Sequence, residues 1–310
     1  VHAFEDYDND IEKRWWMTGK LETDDLPPGS RRACRAVLTQ DYDAKMGDSQ
    51  ARYKAVIFNP VPGPPMGANT RLNFRYKLSG TDTLRVQLFS LSKGYHRYLT
   101  LTDLPQGKWS EATVDMTDMR RPDGSGGPLA QDERIDDIQF YVDPRADLIV
   151  DEMILYDEAL ESEQRPFPKR LLFTAWFDTG KQGQEWPGDF EIVLHEKPRT
   201  WDAAKSVINN QTKKPWIRLD LRGMRRLAAK VDLRFQYRLS GSPGRMSVAL
   251  YNSQTNQEQQ QSLADLKTGK WAETAISFKL DREFEQADEI RFYPPDDAEL
   301  LIDDLLLYVP

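Results

Sequence analysis

Leu72-Asn-Phe-Arg-Tyr-Lys-Leu-Ser-Gly80 returns later in the chain as Leu233-Arg-Phe-Gln-Tyr-Arg-Leu-Ser-Gly241. In both stretches large apolar residues take every second position and polar ones fill the gaps, the period of a strand with one face in a core and one in solvent. The likeness continues outward in unchanged order. Asp103-Leu104, Gly107-Lys108-Trp109 and Glu111 match Asp265-Leu266, Gly269-Lys270-Trp271 and Glu273. Ile138-Gln-Phe-Tyr141 then matches Ile290-Arg-Phe-Tyr293, and 148–156, around Asp151-Glu152, matches 300–308, around Asp303-Asp304. Repetition of this kind is a duplicated domain.

The first copy is longer by about ten residues between the Trp109 strand and Ile138, and the glycines and prolines of 119–128 mark that insertion as a loop. Its place near the strand carrying Lys93-Gly-Tyr-His-Arg-Tyr98 suits a lid. The first copy runs over residues 1–157, the charged, proline-flanked stretch 158–170 reads as a linker, and the second copy covers 171–310. No long amphipathic helix interrupts the alternation. Two all-β domains built from short strands broken by Gly, Pro, Asn and Asp are β-sandwiches of the jelly-roll kind.

Composition agrees with two folded units. The 310 residues include 8 Trp, 12 Tyr and 13 Phe, too many aromatics for a disordered chain, although mean hydropathy is −0.68. Lys plus Arg number 42 against 50 for Asp plus Glu, a net charge of −8, which argues against a general nucleic-acid binder. No apolar run is long enough to span a membrane as a helix. A single cysteine, Cys34, excludes an intrachain disulfide framework and a cysteine-rich zinc site. The opening Val1-His2-Ala3-Phe4 lacks the basic-then-apolar layout of a signal peptide.

An aromatic-acid pair near the start (Phe4-Glu5), an alternating strand ending in Ser-Gly, Gly-Lys-Trp, Ile-x-Phe-Tyr and a last apolar-Asp-acid-apolar strand together resemble the galactose-binding-like jelly rolls, many of which are non-catalytic carbohydrate-binding modules. The resemblance covers most of both halves. It implies a polysaccharide or oligosaccharide partner and a secreted, periplasmic or cell-surface location. It also implies a structural calcium ion, tied by Glu5 with Asp151 in the first copy and by Asp178 with Asp303 in the second, carboxylates being hard oxygen ligands.

Sugar binding needs flat aromatic faces and planar polar groups on a rigid surface. If the resembled arrangement puts the three matched strands in one sheet, Arg75, Arg85, Gln87, Gln139 and Tyr141 share its solvent face. Arg234, Gln236, Arg238, Tyr251, Arg291 and Tyr293 occupy comparable places in the second copy. Guanidinium forks suit carboxylate or sulfate groups, so an anionic glycan is a natural ligand for such faces. Trp109 and Trp271 read as structural anchors, and Trp15, Trp16 and Trp186 as core residues or loop-borne contacts.

Two other functions stay open. A polysaccharide lyase or hydrolase would use His96 and Tyr98, a base beside cations able to neutralise a uronate. A structural or adhesive module would meet another protein with the same faces. No P-loop, dinucleotide fingerprint, His-Glu-x-x-His or Gly-x-Ser-x-Gly is present.

Overall fold

A computed structural model describes residues 3–8, 17–40, 52–58, 65–158, 170–177, 186–195, 202–241 and 244–310. The chain divides into two compact units, Val1–Phe167 and Pro168–Pro310. Nearly all regular structure is strand, with one short helical turn at Met116–Asp118 among the described residues. Each unit is a β-sandwich of two antiparallel sheets.

In the first unit one sheet orders its strands as Trp109–Asp115, Thr70–Ser79, Asp147–Asp157, Ala33–Arg35 and Lys20–Glu22, with Ala3–Glu5 also paired to Asp147–Asp157. The facing sheet runs Tyr95–Leu101, Leu84–Ser90, Glu133–Val142, Arg52–Phe58 and Met17–Thr18. Leu72, Phe74, Tyr76 and Leu78 from one sheet meet Val86, Leu88, Ile138 and Phe140 from the other in the core. Phe74 and Phe140 touch across it, ring centroids 4.8 Å apart.

The second unit repeats this plan. One sheet runs Glu191–Leu194, Asp202–Lys205, Glu299–Val309, Lys230–Ser240 and Ala272–Lys279, with Arg170–Ala175 paired to Glu299–Val309. The other runs Gly188–Asp189, Pro215–Arg226, Gln286–Tyr293, Met246–Asn252 and Gln257–Leu263. Phe235 and Phe292 meet between them at 5.1 Å.

The Ser-Gly that ends each repeated strand is the corner where the chain leaves one sheet for the other. Gly80 and Gly241 have φ of +80° and +95°, a region that side-chain-bearing residues avoid. A Cβ on Gly241 would also lie 3.2 Å from Ala298 Cα. This corner separates residues that the alternation alone places together. Arg75 lies in the first sheet of its unit, while Arg85, Gln87, Gln139 and Tyr141 lie in the opposite one. Likewise Arg234, Gln236 and Arg238 belong to one sheet, and Tyr251, Arg291 and Tyr293 to the other.

The insertion 119–128 is fastened rather than lid-like. Arg97 points inward from its strand and its guanidinium donates to Glu133 Oε1 at 2.9 Å and Oε2 at 3.1 Å. It also donates to the Gly127 carbonyl at 2.6 Å, the Gly126 carbonyl at 3.3 Å and the Pro128 carbonyl at 3.4 Å. Tyr98 and Arg120 exchange backbone hydrogen bonds at 2.8 and 3.1 Å, so the insertion also docks on the edge strand.

Candidate functional site

The outer face of the Pro215–Arg226 sheet in the second unit holds a cleft of about 1100 Å³. Its floor follows from register. Gln260, Ala249, Arg291, Arg218 and Asp189 are successive cross-strand neighbours, one from each of five strands. At the usual strand spacing such a row measures about 19 Å, a length suited to an extended ligand. The next row carries Glu258, Tyr251, Glu289 and Asp220. Trp216 and Tyr293 complete the aromatic lining.

One wall is the hairpin joining Val207–Ile208 to Pro215. Asn209 shapes its turn, since Asn209 Oδ1 accepts from the backbone N–H of Gln211 at 2.8 Å and of Thr212 at 3.0 Å. The wall presents the amides of Asn210 and Gln211, and Ile208 stands at the rim 58% exposed.

Two arginines side by side on neighbouring strands would repel. Glu289 lies between them and resolves the conflict, Oε1 accepting from Arg218 Nη1 at 2.9 Å and Oε2 from Arg291 Nε at 2.7 Å. Arg218 Nε donates further to Asp189 at 3.2 Å, and Arg291 Nη1 lies 3.7 Å from Glu258. Burial works against the charge of both arginines. The hydrogen bonds that Arg218 donates to Asp189 and Glu289, and that Arg291 donates to Glu289, outweigh it and hold both pKa values above the ordinary arginine range.

Tyr293 donates to Glu258 Oε2 at 3.0 Å, and burial with the charge of Glu258 pushes its hydroxyl up to about 12. Arg291 also stacks on Tyr251, its guanidinium carbon 3.3 Å from the ring centroid, so that face of Tyr251 is already covered. Two guanidinium groups set against the three carboxylates of Asp189, Glu258 and Glu289 leave no surplus positive charge in this network.

Tyr251, Arg291 and Tyr293 are the sequence candidates that the cleft brings together. Trp216, Arg218, Glu258, Gln260 and Glu289 escaped the sequence reading. The strand Trp216-Ile-Arg-Leu-Asp-Leu221 alternates as clearly as the repeated strand and carries the signal for the first two. Glu258 and Gln260 sit in the strand Gln257–Leu263, polar at every position but the last, with no period to read. The three candidates on the opposite sheet lie apart from this cleft: Gln236 donates to Asp304 at 2.7 Å, Arg234 lies 3.9 Å from Glu273, and Arg238 is half-buried.

In the first unit the expected solvent face is buried. Gln87, Gln139 and Tyr141 are each no more than 2% exposed. Gln87 donates to Gln139 at 3.1 Å, and Gln139 to Asp137 at 2.5 Å. Arg85 lies over the rings of Tyr141, Tyr53 and Tyr98 at 4.7, 5.0 and 5.8 Å. Arg75, on the other sheet, pairs with Glu152 at 3.3 Å. His96 packs edge-on against Phe89 at 5.0 Å, and the Tyr98 hydroxyl donates to the Pro122 carbonyl at 3.2 Å. The cation between them, Arg97, is directed into the interior and engaged by Glu133, so it is not placed to neutralise a uronate beside His96.

The expected calcium ligands differ between the copies. Asp151 is fully buried, accepts from Ser30 Oγ at 2.5 Å and from Glu152 N at 2.8 Å, and is pushed up to about 9 by burial and the nearby charges of Asp6 and Glu152. Glu5, also buried, accepts from Tyr7 N at 2.7 Å. Desolvated carboxylates of this kind suit a hard cation, although no three Asp, Glu, His or Cys side chains gather to hold a metal among the described residues. In the second unit Asp303 lies 3.4 Å from His195 Nε2, and Asp178 lies outside the described residues.

The tryptophans also divide. Trp186 is in the core and donates to the Thr174 carbonyl at 3.1 Å. Trp109 and Trp271 are half-buried rather than core anchors: one donates to the Asp25 carbonyl at 3.0 Å, the other stacks on His195 at 3.8 Å. Trp15 and Trp16 lie outside the described residues. No described helix is long and apolar enough to cross a membrane.

No family model matches the chain, and no curated protein matches it in sequence. Solved structures similar to it are carbohydrate-binding modules. The CBM22-1–CBM22-2 tandem domain from Paenibacillus barcinonensis Xyn10C is 14% identical, covering 100% of this chain and 97% of its own, at a TM-score of 0.34. A family 11 carbohydrate-binding module from Clostridium thermocellum, solved with a β-1,3-1,4-mixed-linked tetrasaccharide, is 19% identical over 46% of this chain and 83% of its own, at 0.32. TmCBM61, solved with β-1,4-galactotriose, is 10% identical over 49% of this chain and 95% of its own, at 0.30. These likenesses are of strand arrangement and identify no ligand for this chain.

Proposed function

We propose that the second unit binds an uncharged polysaccharide in its cleft without transforming it. The observation that carries this reading is the cleft itself, an elongated groove floored by a rigid sheet and lined by aromatic faces and by planar polar groups. Trp216 and Tyr293 offer the flat apolar surface that a sugar ring packs against. Glu258, Glu289, Gln260 and the hairpin amides accept and donate in the plane that ring hydroxyls need. The balanced charges favour hydroxyls over carboxylate or sulfate, because an anionic ligand would meet arginines already neutralised by their own partners.

A calcium ion held in part by Glu5 and Asp151 is proposed for the first unit, as a structural element and not as part of the cleft. A secreted, periplasmic or cell-surface setting, where polysaccharides are met, accords with this function.

The test is retardation in native gels cast with neutral polysaccharides, such as mixed-linkage β-glucan and galactan, and with anionic ones, such as alginate. Retardation by a neutral polymer whose length is unchanged afterwards is expected. Retardation by anionic polymers alone would refute the charge argument. Shortened polymer would establish an enzyme, and passage through every gel at free mobility would leave the protein-interaction reading.

A further inference from the structure

The duplication suggests two glycan sites per chain, yet the two outer faces keep only the tyrosine of Tyr141 and Tyr293 in common and differ at the neighbouring positions that build the cleft. We infer that the chain carries one glycan site, in the second unit, and that Trp216 and Arg218 set the copies apart; the inference rests on reading that cleft as a glycan site. Register makes the comparison residue by residue. Arg218 pairs with Arg291, and Ile57 pairs with Gln139, so Ile57 stands in the first unit where Arg218 stands in the second. Two residues earlier in the same strands, Ala55 replaces Trp216. The strand Leu84–Ser90 shows the same burial pattern as Met246–Asn252 and brings Gln87 to the place of Ala249.

These exchanges turn a charged, open groove into a closed surface. Ala55, Ile57 and Tyr141 form a small apolar cluster, with Tyr53 packed edge-on against Tyr141 at 5.9 Å. Gln87 stands in the place of Ala249, fully buried, and its amide nitrogen donates to Gln139 at 3.1 Å. Tyr141, the counterpart of Tyr293, is 2% exposed and cannot present a ring face to a sugar. A hydroxylated ligand meets neither the platform of Trp216 and Tyr293 nor the paired arginines and carboxylates of the second unit there. Binding by this chain is therefore univalent, without the gain that two linked sites would bring.

Isothermal titration of the full chain decides this, using the tetrasaccharide cut from the neutral polysaccharide that retards it, so that stoichiometry counts sites rather than polymer lengths. One tetrasaccharide per chain is expected. Trp216→Ala should weaken binding by about a hundredfold or abolish it, while Tyr98→Ala in the first unit should leave affinity unchanged. Two tetrasaccharides per chain, or affinity that survives Trp216→Ala and is lost with Tyr98→Ala, would overturn the inference while leaving glycan binding intact. Free mobility of the wild-type chain in every neutral polysaccharide gel would overturn the glycan reading itself, and this inference with it.

Discussion

Arg97→Leu tests whether one guanidinium holds the insertion of the first unit in place. The Arg97 and Glu133 side chains are 1% and 0% exposed, so removing the cation leaves a buried carboxylate that still accepts from Ser90 Oγ at 2.6 Å and Ala130 N at 2.9 Å but has lost its counter-charge. Breaking a buried ion pair from one side costs about 3–5 kcal/mol. At about 1.4 kcal/mol per tenfold, the middle of that range raises the opening equilibrium of the segment by roughly three orders of magnitude. Hydrogen exchange read by mass spectrometry on the full chain measures it, with the peptide 119–134 as reporter and 246–263 as internal control. The reporter should lose protection and the control should not.

The acid dependence supplies a second reading of the same variant. Burial works to raise the Glu133 carboxyl, but the bonds from Arg97, Ser90 and Ala130 outweigh it and hold its pKa below the ordinary value. A depressed carboxyl contributes stability that is present above its unfolded pKa and lost as pH falls through the folded one. Without Arg97 that contribution disappears, so the gap between variant and wild type should be widest near neutrality and narrow on acidification. Unchanged protection in 119–134, or a gap that grows in acid, would refute the clamp.

Three further outcomes are expected. Tyr293→Ala should lower affinity for the retarding polysaccharide by about tenfold, consistent with loss of one aromatic contact, with unchanged melting of the chain; undiminished affinity would remove Tyr293 from the site. Gly241→Ala should cost about 1–3 kcal/mol, because its φ of +95° is strained for alanine, and should lower the melting temperature by several degrees; an unchanged melt would show that the corner relaxes. Asp151 is raised to about 9, so in chelator its contribution to stability is full below the unfolded carboxyl pKa near 3.8 and is lost as pH rises toward 9. Asp151→Asn should flatten that slope, and calcium should raise melting of the wild type at pH 8 but not of the variant; equal slopes would show that Asp151 does not titrate as described.

The alternation of Leu72, Phe74, Tyr76 and Leu78 was enough to read strands, and its recurrence enough to read two sandwiches. It could not assign a strand to one sheet or the other, because period two reports which side faces the core and not which layer the strand belongs to. Arg75 and Arg234 were misplaced for that reason. Nor does alternation separate a face open to water from one closed over by the rest of the unit, which is how Gln87, Gln139 and Tyr141 came to be expected at the surface. Trp216 and Arg218 were legible in principle. Glu289, which Arg218 and Arg291 share, and Glu258, which meets Arg291 and Tyr293, gain meaning only from the register that lays these strands side by side.

The pairing of each unit's first strand with its last has a consequence for how such chains are assembled. Ala3 lies opposite Leu155, and Arg170 opposite Val309, so in each unit the point of entry and the point of exit are neighbours at one end of one sheet. A fold closed in this way is a portable cassette: its host need bridge only a short gap, and little loop-closure entropy is involved in splicing it in. Copying one in tandem leaves the original undisturbed, which frees the duplicate to drift. Joining the native ends by a brief linker and opening the chain at an exposed turn such as 209–214 should for the same reason give a permuted second unit with its strand order in space preserved.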